Sequence, residues 1–465
     1  MIPLSLARIA EVCRGDLHGD PAAVVTGEVV IDSRRAGPGG LFAALAGERS
    51  DGHDFAAAAV AAGAVAVLAT RPVPAPSVLV TDVPAALAAL ARHVTGALPA
   101  ARIAGITGSS GKTSTKDLAA QLAERLGPTV APAGSYNNEL GHPLTVLRAD
   151  ASTRYLVLEL SARGPGHIAY LCRIAPPRYG VVLNVGHAHA GEFGGLDQVA
   201  RAKGELAEAL PADGAAILNA DDPRVAAMAA RTAARVVTFS CAPGSAAPVR
   251  AAGVRLDDRG RPSFTLLMPE GSAPVTLRWH GAHNVPNALA AAALARELGM
   301  DPADIADGLS AAVVRSRWRM EVRQRADGVT VINDAYNANP ESVRAALDAL
   351  GHLAGGGRGW AVLGHMAELG DFSRASHEDI GEYAARVADG SLAGLIAVGQ
   401  EAEPLLDGAR RVASWPGEAV AVPDGAAVLD VLANRLKPAD VVLVKASRAA
   451  RLESVAAGLL GEADR

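Results

Sequence analysis

Two patterns of apolar and polar positions alternate through the middle of this 465-residue chain. Short apolar runs over residues 101–106, 153–159 and 179–185 are typical of buried β-strands, and polar residues follow each run. Between such runs lie alanine- and leucine-rich stretches with helical spacing, for example from Lys116 onward and from Ala288 to Leu298. The alternation over residues 103–313 therefore predicts an α/β sheet with helices on both faces.

The flanking segments predict two further α/β units. Alternating positions from Val24 to Asp32 predict a strand, and the apolar run from Ala64 to Ala69 predicts another after an alanine-rich helix. The last third of the chain repeats the alternation and suggests a second, smaller Rossmann-like sheet, with strands near residues 329–333, 360–363, 395–398 and 441–444. We therefore predict an α/β protein of three domains, over residues 1–97, 98–313 and 314–465.

A glycine-rich turn joins the first central strand to the helix that follows it. A strand, a flexible loop and a helix N-terminus form a cradle for phosphate, and Gly111-Lys112-Thr113 occupies the position of the P-loop motif. Lys112 would reach the outer phosphates of a nucleotide, and the Thr113 hydroxyl would ligate Mg²⁺. The loop is one residue longer than the usual motif, but this context favours a nucleotide site over an ordinary βα turn. The residues expected at the phosphates are Thr107, Gly108, Ser109, Ser110, Gly111, Lys112, Thr113 and Ser114.

Polar side chains also follow two neighbouring predicted strands. Glu159 ends one strand and His189 follows another, and ligands of open α/β sheets bind at such carboxyl ends. Both could ligate Mg²⁺, although a histidine is a less usual ligand, and His189 could equally be a satisfied loop or core residue. Lys203 follows on a helix. As an ammonium it would be repelled by a metal, so it must point away, be deprotonated or be modified, and its pattern alone favours a solvated position.

Three further groups of polar residues are candidates for a site, and the first two also have a purely structural explanation. Ser33-Arg34, beside a glycine turn, could hold a phosphate, but the local pattern favours a capped surface turn. Asn284 could contact an adenine edge or serve only as an N-cap. In the last third, polar residues again follow predicted strands: Asp334, His365 and the stretch from Lys445 to Arg448.

Composition and charge exclude several classes of function. The net charge is -5 without a basic cluster, which argues against nucleic-acid binding. Three distant cysteines argue against a disulfide framework or a zinc site and for a reducing compartment. The N-terminus has no signal-peptide pattern, and the uncharged run from Phe55 to Thr70 is too short and too weakly apolar to span a membrane. We therefore expect a cytoplasmic protein without a membrane segment.

Several of these stretches resemble the Mur ligases of peptidoglycan synthesis. The family carries the same longer loop, G-x-T-G-[ST]-x-G-K-T, and the most specific match is Asn333-Asp334-Ala335-Tyr336-Asn337-Ala338-Asn339-Pro340. Residues 136–145, 184–194, 203–205, 363–370 and 444–452 match as well. The resemblance covers essentially the whole length. It is strongest to the member that joins D-alanyl-D-alanine to UDP-N-acetylmuramoyl-tripeptide, and it implies ATP, two Mg²⁺ ions and a monomer.

The resemblance also implies roles for individual residues. Lys112, His189 and Lys203 would be catalytic, with Lys203 carbamylated, and a carbamate is an anionic oxygen donor that can hold the second Mg²⁺. The implied metal ligands are Thr113, Glu159, His189 and carbamylated Lys203. Beyond the loop, the implied ATP contacts are Asn138, His283, Asn284, Asn287, Arg319 and Asp334. The implied substrate contacts are Ser33, Arg34, Asp51, Gly52 and His53 at the UDP end, and Tyr336, Asn337, Asn339, Lys445, Ser447 and Arg448 at the other.

Two positions depart from the family pattern. Leu160-Ser161 stands where the family usually has Met-Gly, and His365 stands where an aspartate is usual, near the incoming dipeptide. Neither departure removes an implied ligand.

The implied reaction is amide-bond formation through an acyl phosphate, with closure of the third domain about a linker near residue 314. The family member that adds the third amino acid is an alternative, but no Asp-Asn-Pro-Arg stretch for a diaminopimelate side chain is present. A folylpolyglutamate-synthase-like ligase would not need the Asp-Ser-Arg and Asp-Gly-His stretches. A nucleotide-driven switch would not need the polar strand ends of the third domain.

Overall fold

The N-terminal part of the computed structural model forms a five-stranded sheet beside a two-stranded one. The structure describes residues 1–47, 50–186, 194–387 and 391–462. The strands in this part are β1 (Leu4–Ser5), β2 (Asp16–His18), β3 (Val24–Val25), β4 (Val29–Val30), β5 (Leu41–Ala43), β6 (Ala66–Ala69) and β7 (Ser77–Leu79). The helices are α1 (Leu6–Cys13), α2 (Ala56–Ala61) and α3 (Val83–Gly96). In the described residues the larger sheet has the order β2-β7-β6-β5-β4, with β2 antiparallel to β7 and the others parallel.

The strand predicted from Val24 to Asp32 is wrong, because two short strands, β3 and β4, occupy this stretch in different sheets. The backbone between them turns away to pair with a neighbouring loop: Thr26 and Gly27 both donate their amides to the Gly39 carbonyl, at 3.0 and 2.8 Å. A Cβ at Gly27 would lie 2.6 Å from the Pro38 carbonyl oxygen. Only glycine therefore allows this approach.

The central sheet carries the nucleotide loop. Its strands are β8 (Arg102–Thr107), β9 (Thr129–Val130), β10 (Tyr155–Glu159), β11 (Tyr179–Val182), β12 (Ala215–Asn219), β13 (Arg235–Ser240), β14 (Val249–Leu256), β15 (Pro262–Met268) and β16 (Gly271–Thr276). Its helices are α4 (Lys112–Leu126), α5 (Gly141–Val146), α6 (His167–Ile174), α7 (Leu196–Glu208), α8 (Pro223–Ala226), α9 (Asn284–Glu297) and α10 (Pro302–Ala311). Across the described residues the order is β16-β15-β14-β13-β12-β11-β8-β10-β9.

Strand β8 lies between β10 and β11, and it pairs in parallel with both. The loop after β8 is therefore flanked by the carboxyl ends of its two neighbours. Pairing is parallel from β9 to β14, and antiparallel β15 and β16 extend the edge. This topology puts Glu159 and the residues after β11 beside the loop, as parallel strands require.

Two helices begin four residues earlier than the sequence pattern predicts. Helix α4 begins at Lys112 rather than Lys116, directly after Gly111. Helix α9 begins at Asn284 rather than Ala288. The first turn of α4 is polar, and that of α9 has Val285 and Pro286 between two asparagines, so the alanine- and leucine-rich spacing does not detect either turn.

The C-terminal part has its own sheet, with cores on both faces. Its strands are β17 (Glu321–Gln324), β18 (Thr330–Asn333), β19 (Gly359–Gly364), β20 (Leu392–Val398), β21 (Glu418–Val422) and β22 (Val441–Lys445). Its helices are α11 (Pro340–Ala354), α12 (Ser373–Val387), α13 (Pro404–Arg410), α14 (Gly425–Ala433) and α15 (Glu453–Leu460). For the described residues the order is β17-β18-β22-β19-β20-β21, parallel except for β17, which agrees with the predicted Rossmann-like unit.

The hydrophobic cores join the first two sheets and leave the third separate. One continuous cluster runs from Leu6 and Leu90 in the N-terminal part to Leu156 and Leu171 in the central part. Helix α3 packs against α5 and α6 across this junction, and the Thr95 hydroxyl donates to the Ile174 carbonyl at 3.1 Å. Among the described residues, the C-terminal clusters contain those from position 320 onward only. Of the helices that the structure describes, none is long and apolar enough to cross a membrane.

The continuous core predicts that damage in α3 weakens the central sheet as well. Leu90 is fully buried in that core, so Leu90→Ala is expected to cost about 2–5 kcal/mol of unfolding free energy. Arg92→Ala, on the exposed side of the same helix, is the matched control and should change it by less than about 0.5 kcal/mol. Chemical denaturation measures the unfolding free energy of both variants, and hydrogen exchange shows which segments lose protection. Loss of protection confined to residues before 97 would contradict a shared core.

Candidate active site

The nucleotide loop leaves β8 and enters α4 in a conformation that only glycine permits at one position. Gly111 has φ +78°, and a Cβ there would lie 2.3 Å from Asn287 Oδ1. Lys112 follows as the first residue of α4, and its Nζ donates to the carbonyl oxygens of Gly108 (2.7 Å) and Ser109 (3.5 Å). The lysine side chain thus folds back over its own loop, which is where the phosphates of a nucleotide are predicted to bind.

Asn184 holds the loop from the neighbouring strand. Its Oδ1 accepts the backbone amides of Ser109 and Ser110, both at 2.9 Å. Ser109 Oγ also accepts the Gly186 amide at 2.8 Å. Asn184 is not among the site residues predicted from the sequence. Its position just after β11, beside the loop strand, was the available signal.

Thr113 and Arg319 meet across the junction between the central and C-terminal parts. Arg319 Nη2 donates to Thr113 Oγ1 at 3.0 Å and to Ser135 Oγ at 3.2 Å. The guanidinium lies over the Tyr336 ring, 4.2 Å from its centre. The Thr113 hydroxyl therefore accepts a hydrogen bond from a residue 206 positions further along the sequence. A metal-bound nucleotide is predicted at this place. Ser135 was also missed, and no motif marks it.

Lys203 is buried, and the solvated position that its pattern favours is wrong. It lies on the inward face of α7, with Val199, Ala202 and Leu206, and is 3% exposed. Burial lowers its pKa well below the usual range, and the nearby positive charge of Lys112 lowers it further. Burial also lowers the pKa of Lys112, while the carboxylates of Glu159 and Glu368 oppose that shift. The two lysines are therefore close enough to repel each other.

Glu159 supplies an unused oxygen at the end of β10. Its Oε1 accepts Asn137 Nδ2 at 2.6 Å, whereas its buried Oε2 has no hydrogen-bond partner among the residues that the structure describes. A buried carboxylate oxygen in this state, in the same cleft as the Thr113 hydroxyl, fits Mg²⁺, which protein sites commonly hold through one or two carboxylates plus phosphates. The described residues contain no group of three or more His, Cys, Asp or Glu arranged for a metal. His189 lies outside the described residues.

Two adjoining clefts collect most of the predicted site residues. The first cleft is lined by Ser109, Ser110, Gly111, Lys112, Thr113, Asn138, Glu159, Arg319, Tyr336, Asn337, Asn339, Ser447 and Arg448. The second cleft is lined by Ser110, Gly111, Ser114, His283, Asn284, Asn287, Arg319, Asp334 and Lys445. Thr107, Gly108 and Lys203 lie behind these surfaces; Thr107 is fully buried, and a Cβ at Gly108 would meet Leu183 at 2.8 Å.

Asn284, which lines the second cleft, is not an N-cap. It is the first residue of α9, and its Nδ2 donates to the His280 carbonyl at 2.8 Å. Its Oδ1 accepts Asn287 Nδ2 at 3.1 Å, and Asn287 Oδ1 in turn accepts the Thr115 hydroxyl at 3.3 Å. This chain of amides connects the cleft to the P-loop helix. Burial lowers the pKa of His283 beside it, so the ring is neutral.

Asp334 and Lys445 form a buried pair where β18 and β22 end side by side. Lys445 Nζ donates to Asp334 Oδ2 at 2.5 Å and to the Asn337 carbonyl at 2.9 Å. Asp334 Oδ1 accepts the Met320 amide at 3.1 Å. Burial lowers the pKa of Lys445, and the Asp334 carboxylate opposes the shift.

Of the remaining C-terminal site residues, Asn339 contacts the nucleotide loop directly. Asn339 Oδ1 caps α11 through the Ser342 amide at 2.9 Å, while its Nδ2 reaches the Ser109 carbonyl at 3.5 Å. Ser447 Oγ accepts the Ala367 amide at 2.9 Å. The Arg448 guanidinium lies over the Trp318 ring, 4.4 Å from its centre. In the central part, Asn138 Oδ1 accepts the Gly141 amide at 2.8 Å.

The predicted N-terminal contacts are not among the residues that line either cleft. Ser33 and Arg34 form the capped turn that their pattern favours: Asp32 Oδ1 accepts the Arg34 amide, and exposed Arg34 pairs with the same carboxylate. His53 is buried. Its Nε2 accepts the Thr70 amide at 3.0 Å, so Nδ1 carries the proton and donates to Asp51 Oδ1 at 2.6 Å. A Cβ at Gly52 would lie 2.7 Å from the Leu45 backbone.

The two positions that depart from the family pattern, Leu160-Ser161 and His365, fit their local surroundings. Leu160 is buried against Gly105, where a Cβ would lie 2.9 Å from its Cδ1. The Ser161 amide donates to the Asn137 carbonyl at 3.0 Å. The His365 ring stacks on His377, with centres 5.2 Å apart, and its buried Nδ1 lies 3.8 Å from Glu401 without a hydrogen bond.

Models of protein families match three segments of this chain. They are described as Mur ligase family, catalytic domain (residues 27–95), Mur ligase middle domain (106–295) and Mur ligase, glutamate ligase domain (318–448). A Mycobacterium tuberculosis protein named UDP-N-acetylmuramoyl-tripeptide–D-alanyl-D-alanine ligase is 50% identical, over 99% of this chain and 98% of that protein.

Solved structures give the same result. MurF from Acinetobacter baumannii superimposes with a TM-score of 0.87 at 34% identity, over 99% of both chains. MurF ligase from Thermotoga maritima, in complex with ADP, gives a TM-score of 0.78 at 31% identity, over 93% of this chain and 96% of that one.

The geometry of the loop predicts a specific defect for Gly111→Ala. Alanine at a positive φ costs about 1–2 kcal/mol, and here its Cβ would also collide with Asn287. Gly461→Ala is the matched control, because Gly461 has φ +69° but open space around a Cβ. Calorimetric titration with ATP should show binding lost in Gly111→Ala and retained in Gly461→Ala. Equal ATP affinity in the two variants would contradict the close approach.

Proposed function

Since this chain belongs to the Mur ligase family, we propose that it is the ATP-dependent ligase that joins D-alanyl-D-alanine to UDP-N-acetylmuramoyl-tripeptide. The main observation in support of this proposal is that both parts of the chain line one cleft. The central part contributes Lys112, Thr113 and Glu159, and the C-terminal part contributes Arg319, Asn339 and Ser447. A cleft built by both parts suits a reaction that needs a nucleotide and two further substrates. The product is the last UDP-linked precursor of peptidoglycan, made in the cytoplasm.

The reaction has two chemical steps. The γ-phosphoryl group of ATP passes to the terminal carboxylate of the tripeptide, which forms an acyl phosphate and releases ADP. The neutral amine of the dipeptide then attacks the acyl carbon, so that a C–N bond forms, the bond to phosphate breaks and the amine loses one proton. Lys112 and Arg319 are cations held where negative charge develops, and their work is positioning and electrostatic stabilisation.

Thr113, Glu159, His189 and carbamylated Lys203 are the proposed ligands of two Mg²⁺ ions. When bound, these ions neutralise charge on the phosphates that transfer. The unpartnered Oε2 of Glu159 supports the assignment. His189 is proposed on the family resemblance alone.

The environment of Lys203 supports the carbamate. A lysine whose pKa is lowered by burial has a larger neutral fraction at neutral pH, and the neutral amine is the form that adds CO₂. The resulting carbamate is negative. It would replace the repulsion between Lys203 and Lys112 with attraction.

The other substrate contacts are proposed from position and resemblance. Residues 1–97 would bind the UDP end through Ser33, Arg34, Asp51, Gly52 and His53. The peptide and dipeptide ends would meet residues of the domain from 314 to 465, namely Tyr336, Asn337, Asn339, Lys445, Ser447 and Arg448. Asn138, His283, Asn284, Asn287 and Asp334 would contact ATP. We further propose that the protein acts as a monomer and binds neither nucleic acid nor membrane.

A product panel tests the activity. The purified protein, with ATP and Mg²⁺, is offered UDP-muropeptides of different peptide length together with D-alanyl-D-alanine or single amino acids. Mass spectrometry should find the pentapeptide product only from tripeptide plus dipeptide, and phosphate release should need both. Lys112→Ala should abolish phosphate release, because the cation at the phosphates is lost, whereas exposed Lys437→Ala should not. ATP hydrolysis without either substrate would instead indicate a nucleotide switch.

The carbamate has a separate spectroscopic test. After incubation with isotopically labelled bicarbonate, carbon NMR should show a carbamate signal in the native protein and in Lys437→Ala. The signal should be missing in Lys203→Ala. A signal that persists in Lys203→Ala would assign the modification to another residue, and no signal in the native protein would refute it.

A further inference from the structure

Three polar residues on one face of α4 hold the chain that leads into the C-terminal part. Asp117, Gln121 and Glu124 are spaced four and three residues apart, so their side chains share one side of the helix. Each contacts a residue between 313 and 316. We call Asp117, Gln121 and Glu124 the linker clamp.

Gln121 forms two reciprocal bonds with the linker backbone. Its Oε1 accepts the Val313 amide and its Nε2 donates to the Val313 carbonyl, both at 3.0 Å. The side-chain amide of Gln121 thus satisfies both backbone polar groups of Val313, as a neighbouring β-strand would. Val313 itself is 46% exposed, so apolar packing does not explain its position.

The flanking contacts add charge. Glu124 and Arg315 form a two-pronged pair, with N–O distances of 2.5 and 2.6 Å. Asp117 Oδ2 accepts the Ser316 amide at 3.0 Å, and its other oxygen pairs with Lys116. Lys116 Nζ in turn donates to the Pro132 carbonyl at 2.9 Å. Asp117 and Lys116 are both buried.

The linker backbone therefore runs antiparallel to α4, toward the nucleotide loop. Val313 lies at Gln121, Ser316 at Asp117, and Arg319 at Thr113. Thr113 is the second residue of α4, so one helix holds the linker and carries the phosphate-binding residues.

Immediately after the clamp the backbone is strained. Trp318 and Met320 have φ values of +58° and +49°, in the left-handed region that side chains rarely adopt. The Glu321 carboxylate accepts the Trp318 amide, and Asp334 accepts the Met320 amide. Arg319 lies between the two turns, and their direction determines where its guanidinium points.

From this geometry we propose that the linker clamp is a positioning device for Arg319. Gln121 and Glu124 act through the linker and touch neither cleft. They hold residues 313–316 on α4, so that any pivot of the C-terminal part lies at residues 317–320 rather than near 314. The proposal rests on the proposed function only in taking ATP as the ligand.

Loss of the Gln121 bonds should weaken ATP binding only while Arg319 is present. By titration calorimetry, Gln121→Ala is expected to raise the Kd for ATP about tenfold, as expected for two lost hydrogen bonds. Gln324→Ala removes an exposed glutamine that bonds within its own turn, and it should leave the Kd unchanged. In an Arg319→Ala background, Gln121→Ala should add nothing further.

The outcomes separate the two proposals. If Arg319→Ala itself leaves the ATP Kd unchanged, the role of Arg319 in the proposed function is wrong. If Arg319→Ala weakens binding and Gln121→Ala weakens it further by the same factor as in the native background, the clamp does not act through Arg319.

A charge exchange gives an independent test on an exposed pair. Glu124→Arg should weaken ATP binding by repelling Arg315, and the double variant Glu124→Arg with Arg315→Glu should restore it. Failure of the exchange to restore the Kd, with unchanged thermal stability, would overturn the proposal.

Discussion

Two neighbouring lysines, Lys112 half-buried and Lys203 buried, impose the electrostatic constraint that the site must satisfy. Burial lowers the pKa of both Lys112 and Lys203, and their proximity lowers that of Lys203 further. An ammonium removed from water is unfavourable unless it has a partner. The carbamate proposed for Lys203 would remove one of the two positive charges, and the phosphates of the proposed nucleotide would balance the charge of Lys112. The proposed modification and the proposed ligand therefore both reduce the excess positive charge of this site.

The two junctions of the central sheet are built from different interactions. Toward the N-terminal part, an apolar core continues through α3, α5 and α6, so separation would expose hydrophobic surface to water. Toward the C-terminal part, hydrogen bonds cross the junction, among them those of Arg319 to Thr113 and of Asn339 to Ser109. Water or a ligand can replace such partners at small net cost. The chemistry of each junction thus determines which part can move against the nucleotide loop.

Much of this arrangement follows from the sequence, because the periodicity of strands and helices and the order of parallel strands are local rules. The strands that precede the loop, Glu159, Asp334 and Lys445 were predicted correctly for that reason. The pattern failed where long-range contacts decide. Lys203 is buried because α7 turns that face inward, and the stretch from Val24 to Asp32 breaks because Gly39 competes for its amides. Asn184 was missed because its position at a strand end indicates the edge of the sheet but not the hydrogen bonds that its side chain makes with the loop.

The position of Arg319 also bears on how the second cleft opens. Arg319, Asp334 and Lys445 form part of the wall of the second cleft, and that wall belongs to the C-terminal part. Movement of the C-terminal part away from the central sheet would break the Arg319–Thr113 hydrogen bond and remove this wall. In the proposed reaction, release of ADP would therefore be coupled to movement between the two parts.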